Sequence, residues 1–137
     1  MKRNIYLLVL VFILNAIGIY ANVFVGELTS IKVVEFEGAG KAGKSNIKAL
    51  KQSDAYDEAR KNAQSQLATY IKGIKNTENE TLEELSQNSL SMQKLFSDTI
   101  KESKITTKTW DTEDNATVKI QLDLVKLKEK LDRLGVK

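Results

Sequence analysis

From Ala116 to Leu124 the side chains alternate without a break. Ala116, Val118, Ile120, Leu122 and Leu124 are apolar, and Thr117, Lys119, Gln121 and Asp123 between them are polar. A period of two sends successive side chains to opposite faces, so this segment reads as a strand with one face buried and one wet. A shorter alternation in IKVVEFEG, Ile31 to Gly38, sets Ile31 and Val33 against Val34 and Phe36 and predicts the first strand of the chain. Between the two the period lengthens. From about Ile47 to Ile74 the residues Tyr56, Ala59, Ala63, Leu67, Tyr70, Ile71 and Ile74 fall on one helical stripe. Ala55, Ala59 and Ala63 recur at intervals of four, giving a flank small enough to approach a sheet closely. Ser45 or Asn46 is placed to cap this helix, and Gly73 weakens it near its end.

A second helix is expected from Thr81, where T-L-E-E puts Glu84 at the third helical position of a capping box. Leu82, Leu85, Met92, Leu95, Phe96 and Ile100 then recur at helical steps. Glutamates at 78, 80, 83 and 84 crowd its start, and Lys101 and Lys104 its end, as the helix dipole prefers. The strand ITTKTW (Ile105 to Trp110) follows, joined by the polar turn DTEDN to the alternating strand. So short a link makes the pair an antiparallel hairpin. A closing helix over Leu124 to Leu134 presents Leu124, Leu127, Leu131 and Leu134, with Gly135 where a helix-ending glycine belongs. The order β-α-α-β-β-α predicts an α+β fold, with helices on one face of a small antiparallel sheet.

The chain begins with a different pattern. Lys2 and Arg3 precede the apolar run IYLLVLVFIL, and NAIGIYA offers small residues for cleavage after Gly18 or Ala21. That succession is a secretory signal over residues 1–21. The alternative is an uncleaved anchor, because the apolar run from Ile5 to Val25 is long enough to span a bilayer. Either way the remainder is expected outside the cytoplasm, in the periplasm or at the cell surface. Residues 22–30 read as a flexible lead-in and residues 31–137 as a single domain. The chain has no cysteine, which closes both lipid attachment at a mature N-terminal cysteine and disulfide stapling. The net charge of +3 is misleading. Two of the 21 basic residues lie in the leading segment, which leaves 19 against 18 acidic ones. With basic residues interleaved rather than clustered, nucleic acid is not an expected partner.

One motif demands separate weighing. GAGKAGKS, Gly38 to Ser45, fits the phosphate-binding pattern G-x-x-x-x-G-K-[ST] at every fixed position. In a working P-loop, backbone N–H groups between Gly38 and Gly43 would cradle phosphates, Lys44 would neutralise them and Ser45 would hold Mg²⁺. The context opposes it. A P-loop domain needs a parallel sheet with crossover helices, whereas here the later strands form a hairpin. Asp123 lies on the polar face of an alternating strand, not at the end of a buried one, and no N-K-x-D follows. The glycines are therefore read as a device for turning sharply from strand into helix, with positive φ at Gly38 and Gly40.

No other chemistry is signalled. Histidine is absent along with cysteine, removing the usual general base, thiol nucleophile and transition-metal ligands. Glu83–Glu84 and Glu113–Asp114 read as solvated carboxylates, DTEDN lacks a calcium loop's length and closing Glu, and Trp110 reads as core. Asn79-x-Thr81 and Asn115-x-Thr117 are glycosylation sequons only in a eukaryotic secretory pathway. No catalytic residue, metal ligand or cofactor is assigned.

Five features occur in succession. A strand ends in Gly38-Ala39-Gly40, the alanine-stepped helix AYDEARKNAQSQLATYIKG follows, and later come a second helix, a strand bearing Trp110 and VKIQLDL. Over about residues 31–125 this resembles the small bacterial envelope domains of the Lpp-twenty lipoprotein type and the N-terminal domain of the flagellar protein FlgT. The resemblance implies a non-enzymatic envelope protein with an α/β sandwich-like fold, associated with the outer membrane or flagellar base. Its expected partners are other envelope proteins or a second copy of itself. The missing cysteine departs from the lipoprotein members. A divergent P-loop protein using Gly38, Gly43, Lys44 and Ser45, and a membrane-tethered adaptor, are the alternatives.

Overall fold

The computed structural model describes residues 22–137; the expected signal segment lies outside them. Strand β1 (Val33–Gly40) leads through a loop into the long helix α2 (Lys48–Gly73). Ahead of β1 a single 3₁₀ turn (Val25–Glu27) runs into the short helix α1 (Leu28–Ile31). Helices α3 (Leu82–Ser86) and α4 (Leu90–Glu102) come next, then β2 (Lys104–Trp110), β3 (Ala116–Asp123) and α5 (Leu124–Arg133). The sheet has three strands in the order β1-β3-β2, both pairings antiparallel. The alternating strand β3 is its centre. Ala116, Val118, Ile120 and Leu122 are buried toward the helices, while Thr117, Lys119 and Gln121 stay partly wet on the other face. The molecule is thus an α+β fold, a small antiparallel sheet packed with helices.

Helix α2 lies on the sheet in a register set by simple arithmetic. Four residues of helix advance about 6 Å, and two residues of strand about 6.7 Å, so every second residue of β1 can meet every fourth of α2. Gly40 packs between Ala55 and Ala59, and Gly38 between Ala59 and Ala63. A Cβ on Gly38 would strike the carbonyl oxygen of Ala59, and one on Gly40 that of Ala55. These glycines therefore have a different role from the one the motif suggested. Both lie inside the strand, paired with Val118 and Ala116, and among the described residues the one glycine with positive φ is Gly135. They are small because a helix backbone passes over them.

Further along, Phe36 meets Tyr70 edge-on at 5.5 Å between ring centroids, and the contacts broaden into the main core. Leu28, Leu67, Ile71, Ile74, Leu82, Ile120, Leu124, Leu127 and Leu131 have essentially no exposed surface. Two of the deepest residues, Val25 and Leu28, belong to the segment expected to be a flexible lead-in. Val25 N–H donates to the Lys75 carbonyl (2.8 Å) and Lys75 N–H to that of Val23 (2.9 Å), so this segment is packed and bonded into the domain. The first strand starts later than its alternation implied, because Ile31 ends α1 and Val33 is 48% exposed.

The second expected helix is two. Thr81 and Glu84 do form the capping box, Glu84 N–H donating to Thr81 Oγ1 at 3.1 Å and Thr81 N–H to Glu84 Oε2 at 2.7 Å. The helix stops after Ser86, and Ser89 caps a new one by accepting from Met92 N–H (3.2 Å). Ser86 Oγ donates to the Glu83 carbonyl (2.7 Å) and Ser89 Oγ takes the Met92 N–H, side-chain bonds that compete with helical backbone bonds and that a hydrophobic periodicity does not register. Asp123 caps α5 through Lys126 N–H (3.1 Å). At the other end Val136 N–H reaches Leu131 O and Gly135 N–H reaches Asp132 O, each at 3.0 Å, with Gly135 at φ 76°. That is the Schellman arrangement that residue 135 promised.

Candidate functional site

The GAGKAGKS stretch is divided between two elements. Gly38 to Gly40 are strand, and helix α2 begins only at Lys48, with Ile47 at its N-cap. No side chain caps it. Ser45 Oγ instead accepts from the N–H of Ile47 (3.1 Å) in a local turn, so neither Ser45 nor Asn46 has the expected capping role. Lys44 is exposed and Ser45 half-buried, both ahead of the helix rather than in its first turn.

Three successive N–H groups of the loop already have partners. Lys41 N–H donates to Glu58 Oε2 (2.8 Å), Ala42 N–H to Asn115 Oδ1 (3.0 Å), and Gly43 N–H to the carbonyl of Lys51 (3.2 Å). The Asp54 carboxylate stands where a side chain on Gly43 would go. A phosphate entering here would displace bonds made to protein and would face two carboxylates, of Asp54 and Glu58. The residues proposed for phosphate binding, Gly38, Gly43, Lys44 and Ser45, are near one another in sequence without forming a cradle.

The hairpin turn completes this end of the molecule. Asp111 Oδ1 accepts from the N–H groups of Glu113 (2.8 Å) and Asn115 (3.0 Å), and Oδ2 from Asn115 Nδ2 (3.0 Å). Those bonds, the Asn115 side chain first, hold the Asp111 carboxyl below its ordinary range. It is a fixed anionic acceptor with no proton to give at neutral pH. Gln52 Nε2 donates to Asp114 Oδ1 (2.9 Å), and Trp110 Nε1 donates to the carbonyl of Gln52 (3.0 Å). Trp110 is therefore a clasp across the surface, 38% exposed, and not the core residue expected. A shallow cleft of about 590 Å³ lies here, bordered by Gly40, Lys41, Glu58, Asn62, Trp110 and Asn115. Among the described residues no group of three or more acidic side chains is arranged to hold a metal.

The two edges of the sheet differ, and no sequence pattern announced it. Along the free edge of β1, three α2 side chains four residues apart bond the outward backbone groups. Gln66 Nε2 donates to Glu37 O (2.7 Å), Asn62 Nδ2 to Ala39 O (2.6 Å), and Glu58 accepts from Lys41 N–H. The same helix–strand register that seats the alanines also closes this edge. The far edge of β2 has no such cover. All seven residues of β2 are exposed, and among the described residues no side chain bonds its backbone. Ile105, Lys108 and Trp110, opposite the buried Ile120, Val118 and Ala116, point to the helix side. In retrospect KITTKTW carried a hint, since two lysines in a short strand suit an edge.

No family model matches the chain, and a search of curated proteins finds no match either.

Proposed function

We propose that this chain is a non-enzymatic protein-binding module of the cell envelope, carried out of the cytoplasm by residues 1–21. The observation that supports binding is the contrast between a β1 edge closed by Glu58, Asn62 and Gln66 and a β2 edge left open over seven residues. Exposed edges are normally blunted. β2 carries two lysines and a register shift between Ile105 and Thr107, but its backbone is left uncovered beside a closed β1 edge. A partner strand of matching charge can therefore pair there. The leading K-R, apolar and small-residue succession supports export. The resemblance to the Lpp-twenty and FlgT N-terminal domains supports an outer-membrane or flagellar-base setting. The nucleotide reading has less to stand on, because the N–H groups of Lys41, Ala42 and Gly43 are bonded to protein and the carboxylates of Asp54 and Glu58 stand beside them.

Two experiments test this. N-terminal sequencing of the protein from the envelope fraction should begin between Ile19 and Val23; an intact Met1 in the membrane would make it an anchored protein. A photo-crosslinking residue at Thr109 on β2 should give adducts in intact cells, and one at Glu37 on the closed edge should not. Adducts from neither position would contradict the binding reading.

A further inference from the structure

We propose that the open edge of β2 takes an extended acidic segment of another protein as a fourth strand, held on the helix side by Arg60 and Lys108; this rests on the protein-binding reading above. The guanidinium carbon of Arg60 and the ammonium of Lys108 each lie 5.8 Å from the centre of the Tyr56 ring. Two cations thus share one ring beside the uncovered edge. The Nε of Arg60 is enclosed and has no hydrogen-bond partner among the described residues, and its one ion pair there is a long, exposed contact with Asp57 at 3.6 Å. Lys104 and Lys108 form no ion pair with any described residue. Opposite Gln121 and Val118 respectively, they stand on opposite faces of the strand, so both flanks of the edge are basic.

The sheet itself contains the matching chemistry. On its wet face Lys119 of β3 lies between Glu35 and Glu37 of β1, at 3.9 and 3.7 Å. An acidic strand beside β2 would repeat that arrangement for Lys104, and a carboxylate on its other face would reach Lys108 and the exposed outer nitrogens of the Arg60 guanidinium. Ile105 and Trp110, both more than a third exposed, would pack against apolar residues between the acidic ones. A second copy of this chain is the wrong occupant. Pairing β2 with itself would collect Lys104, Lys108 and Arg60 twice at one seam, and like charge opposes that pairing.

The test uses the full-length chain with the fluorescein-labelled peptide TVTETVE, its lysine counterpart TVTKTVK, and TVTETVE methylated on alternate backbone nitrogens. In antiparallel register the first peptide sets valines opposite Trp110 and Ile105 and glutamates opposite Lys108 and Lys104. Anisotropy should show binding of the first peptide alone, and amide exchange should slow along β2. Charge carries much of the recognition, so Arg60→Glu with Lys108→Glu should weaken binding at least about tenfold. Lys108 is exposed and Arg60 half-buried, so an unchanged melting temperature would verify that the double variant folds, and Lys108→Glu alone should weaken binding in the same direction. Equal binding of the lysine peptide would overturn the charge assignment, and equal binding of the methylated one would overturn strand addition. Concentration-dependent dimers lost in a β2 variant would make the occupant a second copy. Absence of binding while Thr109 still crosslinks would overturn the acidic segment and leave the protein-binding reading standing.

Discussion

A methyl group at Gly38 would meet the backbone of α2 at Ala59, and one at Gly40 would meet it at Ala55. Neither obstacle is the end of a flexible side chain, so the helix must move off the sheet. Overpacking of this kind costs about 1–3 kcal/mol and sometimes more; Gly38→Ala and Gly40→Ala should each lower the urea midpoint accordingly. Gly73, the last residue of α2, has open space around it and no positive φ. Gly73→Ala should instead stabilise by about 0.4–1 kcal/mol, by narrowing the unfolded ensemble. The sequence made the smallness of residues 38, 40, 55, 59 and 63 visible, but not its reason. Each glycine reads equally well as a turn or as a close approach, and only the strand register decides between them. Tyr70 gives a residue-scale prediction of another kind. Burial, with a smaller contribution from the Glu27 charge, pushes its hydroxyl from 10.0 up to about 12. The folded state resists losing that proton. Its stability contribution is complete below pH 10 and is lost as pH rises toward 12. Denaturation midpoints should therefore fall over that range, and less steeply in Tyr70→Phe.

Among elements, β3 and α2 were the most legible because each has one long, unambiguous period. β3 alternates through its full length between a helix-covered and a wet face, and the buried α2 stripe continues every fourth residue from Ala55 to Ile71. The facing of β3 is testable directly. Ile120 is fully buried, so Ile120→Ala should cost about 2–5 kcal/mol, whereas Gln121→Ala on the wet face should lie within about 0.5 kcal/mol. Equal melting temperatures would mean the faces are misassigned. Less was legible where two weak signals competed. The α3–α4 break rests on serine side chains bonding backbone, and the burial of Val25 and Leu28 depends on partners distant in sequence. The difference between the sheet's edges was the least accessible. It needs Glu58, Asn62 and Gln66 on the correct flank of α2, and that flank is fixed only once Gly38 and Gly40 have docked the helix.

For the whole molecule, one structural device accounts for both the motif and the proposed binding surface. The glycine–alanine register brings α2 down onto β1, seals the β1 edge with its polar flank, and leaves β2 uncovered beyond Tyr56 and Arg60. On this account GAGKAGKS matches a phosphate loop because a tightly packed strand followed by a loop also favours glycine and exposed lysine. We propose that the stretch packs against α2 and does not bind phosphate. Titration calorimetry of the full-length chain with ATP or GTP and Mg²⁺ tests it most directly. The account predicts no saturable heat at millimolar nucleotide, and an unchanged melting temperature for Lys44→Ala, since an exposed loop lysine contributes little. Magnesium-dependent binding in the micromolar range, abolished by Lys44→Ala, would contradict it.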